Sequence, residues 1–136
     1  MIDDVFAKIL AREIPAAIVY EDEDTFAILD IAPVAPGHTL VISKKPVLNV
    51  FDADEATWLA VMRTVRLLSP AIRDAVGAHG VHINSNHGEE AGQIVPHLHI
   101  HIIPRHDRQS FAFWPHTKYA PGEAEAILGK IHANLA

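Results

Sequence analysis

The chain has 136 residues, with 11 Lys and Arg against 17 Asp and Glu, a formal charge of −6 with histidine neutral. That length suits one domain, and the acidic balance disfavours long nucleic acid as a partner, since such binding rewards clustered Lys and Arg. Cysteine is absent, which excludes disulfides, thiol nucleophiles and cysteine-ligated zinc, whereas histidine occurs 10 times.

Val5, Phe6 and Ile9 fall at helical spacing within a predicted helix over Asp3–Arg12, which Ile14-Pro15 stops. Acids stand where a secretory signal needs basic residues, and no apolar run approaches the ~18 residues of a membrane span. A cytoplasmic chain with no membrane partner is therefore expected. Ala17–Tyr20 and Phe26–Asp30 read as strands of an antiparallel hairpin around the acidic turn Glu21–Asp24. Pro33, Pro36 and Gly37 force an irregular turn before a third strand, His38–Ser43. The run Asp52–Glu55 opens the longest predicted helix, with Trp58, Met62, Val65, Leu68 and Ile72 along one stripe. Pro70 should bend it, and Gly77 and Gly80 should end it. Val81–Asn84 and His97–Ile103 are the last two predicted strands, joined by the polar loop Ser85–Gly92. From Pro121 on, Ile127, Ile131 and Leu135 are spaced by four, a closing helix weakened by Gly129. Strands follow one another mostly without crossover helices. The expected class is α+β, with an antiparallel sheet of about five strands and helices packed on one side. A single domain over 1–136 is expected, its core at roughly 3–108 and a C-terminal tail and helix at 109–136.

The segment His97-Leu98-His99-Ile100-His101-Ile102-Ile103 alternates strictly. In a strand this puts three imidazoles on one face, ~6.6 Å apart, and sends Leu98, Ile100 and Ile102 into the core. Three readings compete. The rings could decorate an exposed face, or two of them could hold zinc, with the third straining the tetrahedron. In the third reading they perform nucleophilic chemistry at phosphorus. An imidazole is mostly free base near neutral pH, and flanking rings can supply hydrogen bonds and protons.

His97–Ile103 matches the H-φ-H-φ-H-φ-φ signature, φ being apolar, that names the histidine triad (HIT) family. The chain resembles that family also in KILAREIPA, ILDIAPVAPGHTLVISKK and NHGEEAGQIVPHLHIHIIPR. The resemblance implies a HIT-like fold and a homodimer joined across the sheet and the long helix. It makes His99 the nucleophile that attacks the α-phosphate of a nucleotide conjugate, giving a nucleotidyl-histidine that water resolves. His97 and His101 become phosphate-binding and proton-managing partners, and His38 a fourth histidine brought up to them. Asp30 would accept from the ribose hydroxyls, while Val5, Phe6, Ile9, Ile28 and Ile31 would form the slot for the base. Asn86, Gly92 and Gln93, with Gly88, would hold the phosphates.

The resemblance implies no cofactor and no metal at the chemical step. His79, His82, His87, His106, His116 and His132 are read as surface or structural. Two positions depart from the phosphoramidase branch of the family. Ile94 replaces a serine expected after the glutamine, and Pro46 replaces a second upstream histidine. Pro104-Arg105, in contrast, is similar to bacterial members and to dinucleoside polyphosphate hydrolases. The expected activity is a nucleotide hydrolase or nucleotidyl transferase acting on a purine nucleotide conjugate of phosphoramidate type. The alternatives are a dinucleoside polyphosphate hydrolase, and a nucleotide-binding regulatory protein with little catalysis.

Overall fold

Asp22 turns the chain between the first two strands. Its Oδ1 accepts from the Asp24 and Thr25 N–H groups at 2.8 and 2.9 Å in the computed structural model, which describes residues 4–108 and 114–135. The strands on either side, β1 (Ile18–Glu21) and β2 (Thr25–Leu29), pair antiparallel. With β3 (Thr39–Ser43), β4 (Gly80–Asn84) and β5 (His99–Arg105) they form one antiparallel sheet in the order β1-β2-β3-β5-β4.

Strand alternation divides the core in two. Ala27, Val41, Ile100 and Ile102 face the long helix α2 (Glu55–Ala75), which contributes Val61, Val65, Leu68 and Ile72. Trp58 and Met62, expected on that stripe, are only partly buried at its edge. The other face carries Phe26, Ile28, Leu40 and Ile42, and the short helix α1 (Val5–Leu10) covers it with Phe6 and Ile9. The expectation of helices on one side therefore holds for α2, while α1 lies opposite. The reason is local. TFAIL and TLVIS are apolar on both faces, and a sheet of that kind needs cover on both.

Several element ends differ in detail from the sequence reading. Within the predicted opening run Asp54 caps α2, accepting from the Thr57 N–H at 2.9 Å, while Asp52 closes the preceding turn on the Leu48 and Asn49 N–H groups. Gly77, at φ +67°, follows the end of α2, and Gly80 opens β4 instead. Pro70 lies inside α2 without ending it. His97 precedes β5, because the next residue, Leu98, gives its N–H to Val47 O. The predicted start of α1 at Asp3 lies outside the described residues. The closing helix, α3 (Glu123–Ala133), forms as expected, and none of its residues is buried. No helix among the described residues is long and apolar enough to cross a membrane.

Candidate active site

The central histidine of the triad is held by its own strand. His99 Nδ1 gives its proton to the backbone carbonyl of His97 at 2.7 Å, which leaves Nε2 with a bare lone pair. Phe6 of α1 packs against the ring with centroids 4.9 Å apart. Burial holds the His99 pKa below its ordinary value, outweighing the His97 carbonyl bond that favours the charged ring. Such a ring is neutral at neutral pH. Its Nε2 is the least encumbered nucleophile in the cluster.

Hydrogen bonds also fix the tautomers of the two neighbours. The Val34 N–H donates to His38 Nδ1 at 3.1 Å, so the His38 proton is on Nε2. That proton is given to His101 Nδ1 at 2.9 Å, which leaves the His101 proton on Nε2. Burial, together with repulsion from His99 and His38, pushes the His101 pKa down to about 4. His38 is likewise lowered by burial. The rings of His99 and His101 lie 5.1 Å apart, so a bare nucleophile stands beside a ring whose Nε2 presents a hydrogen-bond donor.

Both face a cleft of about 330 Å³. Val5, Phe6 and Ile9 of α1 form one wall, with Ile28 and Ile31 on the β2 side. Ile31 is 97% exposed and stands on the rim. Asp30 borders the cleft with a divided carboxylate: Oδ1 accepts from the Ala32 N–H at 2.9 Å, and Oδ2 lies 3.6 Å from His38 Nε2. Gly92 and Ile94 close the far side, Ile94 with 77% of its surface exposed.

Two predicted phosphate ligands have no free groups to offer. His97 is 1% exposed; its Nδ1 meets Asp4 Oδ2 at 2.7 Å and its Nε2 meets Ser43 O at 2.6 Å. With both ring nitrogens engaged in the core, it is a strut that ties α1 to the sheet. Gln93 is also fully used. Its Oε1 accepts from Asn49 Nδ2 and the Gly88 N–H, and its Nε2 donates to Leu48 O and Val95 O. Neither the Gly88 N–H nor the Gly92 N–H is available, since the latter bonds Glu89 O. Asn86 Nδ2 turns inward to Gly92 O at 3.3 Å. Sequence reasoning missed Asp4 and Asn49, whose partners lie 93 and 44 positions away. No local pattern announces either.

Asp30, His38 and His101 place their ligand atoms within 4.8 Å of one another, the spacing a metal site requires. The donor set fits an ion poorly. His38 Nδ1 is already the acceptor for the Val34 N–H, so its Nε2 presents a proton and not a lone pair.

The HIT domain family matches residues 11–108. The "Protein hit" of Bacillus subtilis is 41% identical over 136 residues, spanning 97% of this chain and 94% of that protein. The adenylylsulfatase HINT3 of Arabidopsis thaliana is 39% identical over 137 residues, covering 98% of this chain and 70% of the relative. The crystal structure of a HIT-family member from Bacillus subtilis superposes with a TM-score of 0.90 at 39% identity, covering 98% of each chain.

Proposed function

The chain belongs to the HIT domain family, and from that membership and the state of His99 we propose that it is a nucleotide hydrolase or nucleotidyl transferase working through a nucleotidyl-histidine. The observation that carries this reading is the bare His99 Nε2, facing a cleft whose walls are apolar. A flat purine fits such a slot without charge, and Asp30 Oδ2 is the acceptor for a ribose hydroxyl. The Ile94 and Val95 N–H groups, which have no partner among the described residues, are the donors for phosphate oxygens.

In the first half-reaction His99 Nε2 attacks the α-phosphorus, forming an N–P bond as the bond to the leaving group breaks. His101, kept neutral by the His38 bond, donates from Nε2 to a phosphate oxygen, and a leaving amine takes its proton from solvent. In the second half-reaction water attacks the same phosphorus and loses its proton to solvent. The His99–phosphorus bond then breaks, releasing the nucleoside monophosphate. His38 keeps His101 in the required tautomer throughout.

The bond cleaved is read first as phosphorus–nitrogen. The HINT3 relative, named for action on an adenylyl sulfate, widens the field to other adenylyl conjugates. Ile94 favours a second reading, dinucleoside polyphosphate cleavage, because an apolar side chain at the rim cannot donate to a departing amine. A panel of adenosine phosphoramidate, adenylyl sulfate, diadenosine triphosphate and diadenosine tetraphosphate, run in EDTA, decides among them. Hydrolysis of none would overturn the proposal. Ile94→Ser is expected to raise activity on the phosphoramidate relative to the dinucleotides by a few-fold to about tenfold, the worth of one hydrogen bond. An unchanged ratio would detach Ile94 from leaving-group choice.

The His99 ionisation is best read with the p-nitrophenyl ester of AMP, whose leaving group needs no proton. Lowering the pKa of a nucleophile extends its free-base form to lower pH. The acid limb of kcat/KM is therefore expected to be centred below 6.5, the ordinary histidine value. A midpoint at or above it would contradict a buried, neutral His99.

A homodimer belongs to the same proposal. Ile127, Leu128 and Ile131 of α3 are exposed, and an 11-residue helix with no buried side chain is marginal in water unless another surface covers it.

A further inference from the structure

The phosphate end of the cleft is built from a loop, residues 85–95, that belongs to no strand. It contains one 3-10 turn at Glu89–Ala91 and two glycines in the left-handed half of backbone space, Gly88 at φ +103° and Gly92 at φ +93°. Left to itself, a segment of this kind opens at little cost. Two side chains tie it down, and both ties reach the same short stretch ahead of α2.

The first tie is the amide of Gln93. A primary amide has two donor hydrogens and two acceptor lone pairs, and all four are matched inside the protein. Asn49 Nδ2 and the Gly88 N–H reach its Oε1 at 3.1 and 2.9 Å, and its Nε2 reaches Leu48 O and Val95 O at 2.8 and 3.1 Å. The second tie is His87. The Val50 N–H donates to its Nδ1 at 3.0 Å, which places the proton on Nε2, 2.6 Å from Ser85 Oγ. Its ring leans on Trp58 with centroids 5.9 Å apart. Asn49 is itself held: it is 4% exposed, its Oδ1 accepts from the Phe51 N–H and its own N–H bonds Asp52.

The geometry points to Asn49 and His87 as positioning residues that, with Gln93, fix loop 85–95 so that its Gly92–Val95 edge is presented to the substrate phosphate. This rests on the nucleotide reading above and deepens it. Gln93 acts by holding the loop and not by donating to phosphate, and Asn49 acts only through Gln93. Residues 48–51 thus belong to the phosphate site without bordering the base slot.

The test compares two ligands that differ only in the phosphate, AMP and adenosine, by titration calorimetry, with hydrogen exchange over residues 85–95 alongside. Asn49→Ala is expected to weaken AMP about fivefold to tenfold, leave adenosine within about twofold, and speed exchange in the loop. Asn49→Asp should be worse, because its carboxylate would face the Gln93 Oε1 acceptor. His87→Ala, which cuts the independent tie, should act in the same direction, and it carries the test if the Asn49 variants fail to fold. Equal weakening of AMP and adenosine, or no weakening of either, would overturn the proposal. A wild-type protein that bound neither ligand would remove the nucleotide reading. Unchanged loop exchange in Asn49→Ala would then overturn the ties by itself.

Discussion

His99→Ala is expected to abolish turnover while AMP still binds within a few-fold of wild type. Among the described residues, the side chain removed carries the only nitrogen whose lone pair is both bare and beside the cleft, so no neighbour replaces it. His101 Nδ1 accepts from His38, and both nitrogens of His97 are engaged in the core. Removing a hydrogen-bond donor from a reaction site costs about 10²–10³ in rate, whereas removing a covalent nucleophile closes the route altogether. The fold should survive, because His97 remains anchored through Asp4 and Ser43. The α1 wall loses the ring that Phe6 leans on but stays tied to the sheet through Asp4 and His97. Rates under single-turnover and steady-state conditions decide the matter. A variant keeping more than about a hundredth of the wild-type rate would remove the support for a nucleotidyl-histidine.

Asp30→Asn is expected to raise KM for ribonucleotide substrates about tenfold to a hundredfold, with a smaller rise for 2′-deoxy analogues. The divided carboxylate makes this substitution informative. Asn keeps an oxygen for the Ala32 N–H, so the turn after β2 survives and only the charge at Oδ2 is lost. A charge-assisted hydrogen bond is worth roughly 1.5–3 kcal/mol, which sets the range. Equal effects on both sugars would make Asp30 a turn residue and nothing more.

The parts of this molecule that could be read in the sequence are those written in short periods. Alternation from His97 to Ile103 placed His99 and His101 on one face and Ile100 and Ile102 on the other, since side chains in a strand point alternately to either side. The same pattern overstated His97. It gives the face of the sheet but not what covers that face, and the cover is Asp4 and α1, reached across 93 residues. Gln93 was misread for a related reason. The family resemblance implies a phosphate contact there, and only the folded chain shows Leu48 and Asn49 already meeting its amide. The placement of α1 was open to a closer reading. TFAIL and TLVIS lack the polar alternation of a half-exposed sheet, which already requires cover on both faces.

The row of imidazoles from His101 to His38 stops at the Val34 amide, a group that gives a hydrogen bond but cannot accept a proton. The row is therefore a blind alley for charge. The proton a leaving amine takes and the proton the attacking water gives up both pass through the mouth of the cleft. Uptake then belongs to the first half-reaction and release to the second. The mouth therefore has to admit water while the nucleotidyl group is still attached to His99.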